Sequence, residues 1–497
     1  MFHKILVANR GEIAKRIFAA CRELGVRSVA IYSEADAGAP WLKTADEAHP
    51  LGGVTAAESY LNQHKIFEIA HKTGAQAIHP GYGFLSENAE FAANCAAHGL
   101  KFIGPSPQAM LALGSKANAR EVAVRAGVPV IPGVDGAGLS AAELAQAAVQ
   151  LGYPVLIKAS AGGGGKGMRV VEWSGDFMDA LQAAQNEARN SFGDDHIIVE
   201  KFFAAIHHVE VQVLGDEHGR LLHLYERECS IQRRHQKIIE ESPSPTIDEA
   251  TRQKMCAAAV ALASQVGYAS AGTVEFMYTG EGKFYLLEMN TRLQVEHPIT
   301  EAVTGVDIAQ WQIRIAAGEP LGLRQEDIRQ QGHAIECRVY AEDPATNFLP
   351  STGTLAHVQW PTGGRVRVDE GVATGSVVSP YYDPMLAKVI TWGHGRAEAI
   401  SAMQAALTQT AVLGVTTNIP YLLAILEEEQ FQQGQTTTHY LAEKFPNWVD
   451  EAPLDEEIWL AIAAFEALQG RGGGTAEAAT TNGFSDPWAL IRDWRNV

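Results

Sequence analysis

The stretch that decides the fold reads TVEFMYTGEGKFYLLEMN from Thr273 to Asn290. Two segments rich in β-branched and aromatic residues flank a glycine-containing turn, which predicts a β-hairpin. Symmetric pairing about the turn sets Glu275 opposite Glu288, where Cβ atoms lie about 4.5–5.5 Å apart. Two carboxylates so placed repel unless one is protonated or a cation lies between them. We therefore predict a Mg²⁺ (or Mn²⁺) site there, and a solvated hairpin in a slipped register is the alternative.

Beyond the hairpin, polar groups recur at every second residue: Glu288, Asn290, Arg292, Gln294 and Glu296. On an extended chain they share one face, with Glu288 and Asn290 about 6–7 Å apart and Glu296 about 26 Å from Glu288. Asn290 could serve the same metal, whereas Glu296 is predicted to have another task unless the chain bends. A carboxylate beside Arg292 and Gln294 could act as a base on a small anion or water. Simple alternation on a wet strand is the alternative.

A glycine run, GGGGKG at Gly162–Gly167, follows the strand pattern of Val155–Lys158. The next residues, Met168–Glu172, again read as a strand, so the helix that a dinucleotide-binding fold needs is missing, and the spacing does not fit a Walker A loop. We predict a glycine hairpin whose backbone N–H groups contact phosphate, with Lys158 as a point charge. A mobile surface loop is the alternative.

The chain has 497 residues, which suggests about three domains, and its formal charge is -19. This charge argues against non-specific nucleic-acid binding and against adhesion to an anionic membrane. Five scattered cysteines without a Cys-x-x-Cys pair indicate neither a disulfide framework nor a zinc ribbon and favour the reducing cytoplasm. No apolar stretch approaches the about 20 residues that cross a bilayer.

The pattern of strands and helices predicts an α/β and α+β multidomain protein. Residues 1–115 read as a doubly wound domain of βαβ units. Residues 116–331 contain longer strands and hairpins, residues 332–446 are β-rich and end in helices, and residues 447–497 read as a helix with a flexible, glycine-rich tail.

Several long motifs, in this order, resemble the biotin carboxylase component of the biotin-dependent carboxylases, which is an ATP-grasp enzyme. The resemblance covers about residues 1–445 and is carried by LVANRGEI (6–13), HPGYGFLSEN (79–88), KASAGGGGKGM (158–168), CSIQRRHQK (229–237) and EMNTRLQVEHP (288–298). It implies a doubly wound N-terminal domain, an ATP-grasp central domain with a glycine-rich lid at about residues 131–204, and a β-rich C-terminal domain.

The resemblance also implies the site residues. The residues around ATP would be Lys116, Lys158, Gly164, Gly165, Glu200, Lys201, Phe203, His208, Gln232, His235, Glu275 and Glu288. The metal ligands would be Glu275, Glu288 and Asn290, and hydrogencarbonate would lie against Lys237, Arg292, Gln294 and the backbone of Val295. The catalytic set would be Lys237, Arg292, Glu296 as the base, and Arg338, which would stabilise the biotin enolate.

The implied reaction is an ATP-dependent ligation. Hydrogencarbonate attacks the γ-phosphate to form carboxyphosphate, which breaks down to carbon dioxide and phosphate, and the phosphate then deprotonates biotin. The implied partners are a biotin carboxyl carrier protein or domain and a carboxyltransferase subunit, in a homodimer or a larger carboxylase complex in the cytoplasm.

The chain departs from the family pattern at Ala205-Ile206-His207, where the family usually has Asn-Pro-Arg, which puts in doubt any role for an arginine at position 207. It has no Ala-Met-Lys-Met biotin-attachment motif, so biotin is expected on another chain or on a missing portion. The segment DPWALIRDWRN (486–496) resembles the start of the next domain in longer acyl-CoA carboxylase α subunits. We expect that the chain is a truncation of such a subunit; a natural stop at Val497 would contradict this.

Two other functions remain open at this point. One is another ATP-grasp enzyme, such as a carbamoyl-phosphate synthetase module or a purine-pathway carboxylase. The other is an ATP-binding regulatory or scaffold subunit without turnover, which would be marked by a missing base or metal ligand.

Overall fold

A computed structural model describes residues 1–159, 168–192, 195–233, 236–450 and 456–469. The chain divides into two compact units, Met1–Trp448 and Val449–Val497. Within the described residues, no helix is both long enough and apolar enough to span a bilayer.

The first layer is a parallel sheet with helices on both faces. Its elements are β1 (Lys4–Val7), α1 (Gly11–Glu23), β2 (Arg27–Tyr32), β3 (Glu47–Pro50), α2 (Gln63–Thr73), β4 (Ala77–His79), α3 (Ala89–Ala97), β5 (Lys101–Phe102) and α4 (Pro107–Leu113). The strand order is β3-β2-β1-β4-β5. On β1, Ile5 and Val7 pack in the core that contains α1, while Leu6 packs in the core of α2 and α3. Burial of both faces explains the continuous apolar run of this strand and confirms the doubly wound prediction.

The second layer is a small antiparallel sheet with its own core. The helix before it, α5 (Lys116–Ala126), packs with α4 in a different core. The small sheet and its helices are β6 (Gly133–Asp135), α6 (Ala141–Leu151), β7 (Val155–Ala159), β8 (Arg169–Val171), α7 (Phe177–Phe192) and β9 (Ile197–Lys201). The strand order is β6-β9-β7-β8, and α6 and α7 pack on it. Because β7 and β8 pair antiparallel, the predicted pair of strands around the glycine run is present. The loop itself, at 160–167, lies outside the described residues.

The third layer is an antiparallel eight-stranded sheet. Its strands and the helices among them are β10 (His207–Gly215), β11 (Leu221–Arg233), β12 (Gln236–Ser242), α8 (Glu249–Ser264), β13 (Ser270–Gly280), β14 (Lys283–Asn290), α9 (His297–Thr304), α10 (Ile308–Ala316) and β15 (His333–Tyr340). The chain continues through β16 (Glu342–Asp343), β17 (Leu349–Pro350), β18 (Gly353–Thr354), β19 (His357–Gln359), β20 (Val366–Glu370), β21 (Val377–Val378), β22 (Met385–Gly393), α11 (Arg396–Gln409), β23 (Ala411–Leu413), α12 (Ile419–Glu427), α13 (Glu429–Gln432) and α14 (Tyr440–Lys444). Short 3-10 helices lie at Glu34–Asp36, Pro40–Thr44, Ser174–Asp176, Gln325–Asp327 and Pro344–Thr346.

The order of the large sheet is β14-β13-β10-β11-β12-β15-β22-β20. The sheet therefore continues across residue 331, where we expect a domain boundary, because β12 pairs with β15. This continuity brings side chains of the β-rich segment beside those of the central segment. The second unit contains α15 (Glu456–Gln469).

The register of the β13–β14 hairpin agrees with the prediction at the acids and departs from it nearer the turn. Glu275 pairs with Glu288, as predicted, but Tyr278 pairs with Phe284 and not with Tyr285. Leu287 is the extra residue of a β-bulge, and a second irregularity near the turn offsets the strands in the opposite sense. At the turn itself Glu281 and Gly282 have φ of 51° and 71°, the positive values of a two-residue hairpin turn.

Candidate active site

The centre of the site is the ammonium group of Lys237, which is shared by three carboxylates. Lys237 Nζ donates to Glu210 Oε2 at 2.5 Å, to Glu296 Oε1 at 2.6 Å and to Glu275 Oε1 at 3.2 Å. The four side chains come from β12, β10, the residue before α9, and β13. Burial alone would lower the pKa of Lys237, but the three carboxylates outweigh it and raise that pKa well above its usual range.

The chain bends between β14 and α9, so of the two cases that the sequence left open, an extended chain and a bent one, the structure shows the bend. β14 ends at Asn290, and α9 begins at His297 with a proline in its first turn. Leu293 is fully buried in the core between these elements, and Lys388 Nζ donates to Val295 O at 2.9 Å. These anchors fold the segment back, and Glu296 joins Glu275 at Lys237 instead of lying about 26 Å away, as full extension would place it.

Glu296 lies between two cations. Its Oε1 accepts from Lys237, and its Oε2 accepts from Arg338 at 3.0 Å. Burial raises the pKa of Glu296, but Lys237 and Arg338 outweigh burial and hold that pKa well below its usual range. The group is therefore ionised at neutral pH and able to accept a proton.

Arg338 reaches the site because β15 lies next to β12. Its Nε donates to Glu240 Oε1 at 2.6 Å, and its second contact is Glu296. Glu240 and Glu296 are both buried. Arg338 is thus part of the buried cluster and not a residue of an exposed strand.

Arg292 and Gln294, which we expect to hold an anion, each contact one of the metal candidates. Gln294 Nε2 donates to Glu275 Oε1 at 2.8 Å. Arg292 NH2 donates to Asn290 Oδ1 at 3.1 Å, and its Nε donates to Glu87 Oε2 at 2.9 Å. Glu87 belongs to the loop before α3, so the parallel sheet and the large sheet meet at Arg292.

Sequence reasoning missed the arginine that organises this cluster. Arg227 on β11 has no exposed surface and donates to five side chains at 2.8–3.3 Å: Glu210, Gln212, Thr300, Thr273 and Gln294. The sequence signal was a charged triplet, Glu226-Arg227-Glu228, directly after the mostly apolar segment Leu221–Tyr225 of the same strand. Charges within a buried strand indicate an internal ionic network more strongly than a solvated edge.

The predicted metal ligands fit a magnesium ion. Glu275 and Glu288 are directly opposed across the hairpin, and Asn290, two residues after Glu288, shares their face and donates from Nδ2 to Glu275 Oε1 at 2.7 Å. Two carboxylates with an amide oxygen form the oxygen-rich donor set that magnesium prefers. His208, Glu210 and Glu275 form another group whose ligand atoms lie within 4.8 Å of one another, but its histidine suits magnesium less well.

The residues predicted around ATP are only partly described. Lys158 pairs with Glu200, Lys201 Nζ donates to the backbone oxygens of Gly152 and Tyr153, and Phe203 stacks on Tyr285 with ring centroids 5.3 Å apart. His208 Nδ1 lies 2.8 Å from Gln232 Nε2, and its Nε2 lies 2.9 Å from Glu275. Gly164, Gly165, His235 and the side chain of Lys116 lie outside the described residues. At the position of the family departure, His207 lies 3.8 Å from Glu228.

Three family models match the chain in sequence. They are "Biotin carboxylase, N-terminal domain" over residues 1–110, "Carbamoyl-phosphate synthase L chain, ATP binding domain" over 115–324, and "Biotin carboxylase C-terminal domain" over 336–443. The chain belongs to the biotin carboxylase family. The flanking domains reject a carbamoyl-phosphate synthetase module, although the central model carries that name.

Relatives and a solved structure agree with this assignment. A pyruvate carboxylase subunit of Methanothermobacter thermautotrophicus is 50% identical over 443 residues, which are 89% of this chain and 90% of the relative. The propionyl-CoA carboxylase alpha chain of Ruegeria pomeroyi is 48% identical over 491 residues, 95% of this chain and 72% of the relative. The biotin carboxylase domain dimer of Hydrogenobacter thermophilus 2-oxoglutarate carboxylase, solved with MgADP, ADP and bicarbonate, has a TM-score of 0.83 and 47% identity, covering 89% of this chain and 98% of that one.

Membership in the biotin carboxylase family confirms the predicted three-domain fold class and the prediction of an ATP-dependent ligase that carboxylates biotin. The MgADP of the Hydrogenobacter thermophilus structure agrees with the prediction of ATP and magnesium as cofactors. In contrast to what a scaffold subunit without turnover would show, the residues predicted as the base and as the three metal ligands are all present. The exact domain boundaries and the role of each site residue stay predictions.

Proposed function

We propose that the buried cluster around Lys237 performs the first half-reaction of a biotin-dependent carboxylase, in which biotin on a carrier is carboxylated by hydrogencarbonate and ATP. The observation that supports this most strongly is the position of Glu296, an ionised carboxylate between Lys237 and Arg338. It places a base, an ammonium group and a guanidinium group within a few ångströms of one another, next to the acids opposed across the hairpin.

ATP would bind between the small sheet and the large sheet. Lys158, at the end of β7 where the glycine run begins, would exchange Glu200 for a phosphate oxygen, and Phe203 and His208 would border the nucleotide. Glu275, Glu288 and Asn290 would hold Mg²⁺, which would neutralise phosphate charge when bound. The glycine run would close over the phosphates and exclude water, in which carboxyphosphate is short-lived.

Hydrogencarbonate would be held by Lys237, Arg292, Gln294 and the backbone of Val295. As Lys237 turns toward this anion, Glu296 loses part of the positive charge that lowers its pKa and becomes a stronger base. Glu296 then takes the hydrogencarbonate proton, and the freed oxygen attacks the γ-phosphorus. The bond from that phosphorus to the β,γ-bridging oxygen breaks, which gives ADP and carboxyphosphate.

The second stage would use Arg338. Carboxyphosphate splits into carbon dioxide and phosphate, and the phosphate accepts the proton of the biotin ureido nitrogen. Arg338 would stabilise the negative charge on the ureido oxygen. The nitrogen then attacks carbon dioxide to form carboxybiotin.

We further propose that the carrier is a separate protein or domain, that a carboxyltransferase subunit uses the carboxybiotin, and that the chain acts as a homodimer or in a larger complex in the cytoplasm. The structural relative of Hydrogenobacter thermophilus was solved as a dimer. The relatives include carboxylases of pyruvate and of propionyl-CoA, so the acceptor stays open.

The test is a coupled assay of ATP cleavage, with and without hydrogencarbonate and free biotin. We expect ADP release to require hydrogencarbonate and to rise when biotin is added, with labelled carboxybiotin as a product. A rate of ATP cleavage that depends on neither hydrogencarbonate nor biotin would contradict the proposal, as would the formation of carbamoyl phosphate.

A further inference from the structure

Two buried carboxyl groups face each other beneath α9, and the reaction above assigns no role to either of them. β12 pairs with β15 in a register that sets Glu240 opposite Glu336, and neither residue has exposed surface. Directly opposed residues have Cβ atoms about 4.5–5.5 Å apart. Two ionised carboxylates at this separation, away from water, would repel strongly.

The hydrogen bonds of the pair are incomplete. Glu240 Oε1 accepts from Arg338 Nε. Among the described residues, Glu240 Oε2 and both carboxyl oxygens of Glu336 have no hydrogen-bond partner. A buried carboxylate without donors is costly, whereas a protonated carboxyl group carries no charge and can donate to its neighbour. The geometry is therefore best satisfied when the two groups hold one proton between them.

The surrounding charges leave Arg338 as the principal counter-ion of the pair. The charged and titratable groups that face it are Lys237, Arg338, Lys388, Glu296, Cys229 and Cys337. Lys388 Nζ already lies 3.2 Å from Glu12 and 3.7 Å from Asp369, and Lys237 is shared by three other carboxylates. Arg338 already pairs with Glu296. It can balance the negative charge of one further carboxylate but not the charges of both Glu240 and Glu336.

The pKa shifts of Glu240 and Glu336 agree with this arrangement. Burial raises the pKa of Glu336 well above its usual range, although Lys388 opposes the effect. Burial also raises the pKa of Glu240 to about 7, with Arg338 opposing it. The proton that the pair shares therefore resides on Glu336, and Glu240 changes its charge near neutral pH.

We propose that Glu240 and Glu336 share one proton and that Glu240 is a positioning residue, which orients Arg338 toward biotin only in its ionised form. The inference rests on the proposed function, in which Arg338 contacts biotin. When Glu240 takes a proton, Arg338 keeps only Glu296 as an anionic partner and is no longer held in the orientation that faces biotin. The biotin step then slows at lower pH, whereas the cleavage of ATP with hydrogencarbonate alone does not share this dependence.

The test compares two pH profiles of the full chain: kcat/KM for free biotin, and hydrogencarbonate-dependent ATP cleavage without biotin. In the wild type we expect a rise in the first profile near neutral pH that the second lacks. Glu240→Gln should lower kcat/KM for biotin about tenfold, the size of a lost charged hydrogen bond, and should abolish the rise. Glu336→Gln should keep the rise in kcat/KM at the same or a lower pH, because the neutral amide has nearly the same shape and charge as the protonated acid.

Glu241→Gln is the matched control. Glu241 is buried on the same strand, faces the opposite side, and pairs with Arg396 at 2.7 Å, so both profiles should keep their shape. A rise that persists in Glu240→Gln would overturn the proposal, as would a wild-type profile without the rise.

An infrared difference spectrum between the wild type and Glu336→Gln provides a readout that depends neither on activity nor on the folding of Glu240→Gln. At neutral pH the wild type should show a protonated carboxyl band that Glu336→Gln lacks, and its absence from the wild type would overturn the shared proton. If the wild type shows no biotin-stimulated turnover at all, the proposed function fails instead, and the infrared result still decides the shared proton.

Discussion

The two halves of the candidate site hold their charges in different ways. In the nucleotide half, which comprises Lys158, Glu200, Lys201 and Phe203, Lys158 pairs with Glu200 on a small sheet and keeps 21% of its side chain exposed. In the hydrogencarbonate half, which comprises Lys237, Arg292, Gln294, Glu296 and Arg338, the side chains of Lys237, Glu296 and Arg338 are 12%, 2% and 8% exposed. Each of these three has at least two charged partners.

This difference teaches how each half should respond to change. A charge removed from the hydrogencarbonate half leaves another buried charge without its partner, which is strongly unfavourable. In the nucleotide half the removal of Lys158 affects one partner only, the buried carboxylate of Glu200, so stability should fall less than in the hydrogencarbonate half while substrate binding suffers. Binding and stability are therefore more tightly coupled in the hydrogencarbonate half than in the nucleotide half.

The largest expected effect, and the strongest test of this comparison, is that of the Glu296→Ala variant. The substitution removes the base, while Lys237 keeps two other carboxylates and Arg338 keeps Glu240. We expect hydrogencarbonate-dependent phosphate release to fall about 10³-fold, as for the loss of a general base. ATP affinity, measured by calorimetry, should be retained. Glu241→Gln is the control, and turnover close to that of the wild type would remove Glu296 from the mechanism.

The next largest effect should come from Arg227→Met. The change leaves Glu210, Gln212 and Gln294 without their shared donor in a buried site. We expect the free energy of unfolding, measured by urea titration, to fall by about 3–5 kcal/mol. Arg324→Met, in an exposed pair with Asp327, is the control and should shift the midpoint little. Equal midpoints for both variants would mean that Arg227 does not organise the cluster.

The nucleotide half should lose less stability than this in Lys158→Met. Loss of one charged hydrogen bond to phosphate should raise KM for ATP about tenfold, while the free energy of unfolding falls by about 1–3 kcal/mol, because one buried carboxylate, Glu200, loses its donor. Steady-state kinetics and urea titration on the same preparation measure both quantities. Lys101→Met, in an exposed pair with Glu217, should change neither. A loss of stability in Lys158→Met as large as that in Arg227→Met would group Lys158 with the hydrogencarbonate half.

The sequence predicted several local features of the molecule well. Symmetric pairing about the turn predicted the opposition of Glu275 and Glu288, which the structure shows because two irregularities of the hairpin offset its strands in opposite senses. The doubly wound N-terminal layer follows from its βαβ pattern. The register between the acids and the turn could not be predicted, because the bulge at Leu287 depends on how both strands pack in the folded protein.

The features that the sequence did not predict depend on residues far apart in the chain. The alternation after Glu288 matches a strand, but the contact of Lys388 with Val295 and the burial of Leu293 impose a bend. Arg227 gives no local sign that its five acceptors come from β10, β13, α9 and the bend between β14 and α9. A single sequence thus identified most of the candidate functional side chains, but not the buried arginine that holds them together.

The smallest expected effect concerns the stability of the protein at acid pH. It depends on His297, the residue after the proposed base Glu296. His297 Nδ1 lies 2.8 Å from Gln294 O, and burial lowers the pKa of His297 from 6.5 to about 3. Above pH 6.5 the residue is neutral in both the folded and the unfolded chain, so it contributes nothing to the pH dependence of stability. Below that pH the unfolded chain takes up a proton that the folded chain refuses, so stability falls as the pH is lowered, by about 1.4 kcal/mol per pH unit for this one group.

His297→Asn keeps an N–H donor near the position of Nδ1 and removes the titration, so urea titrations between about pH 6.5 and pH 4.5 should show a slope smaller by one proton. His64→Asn, at an exposed position of α2, controls for the loss of a histidine as such. An unchanged slope in His297→Asn would mean that the imidazole takes up its proton in the folded state. The start of α9 would then be open to water, and the hydrogencarbonate half would lose the burial that distinguishes it from the nucleotide half.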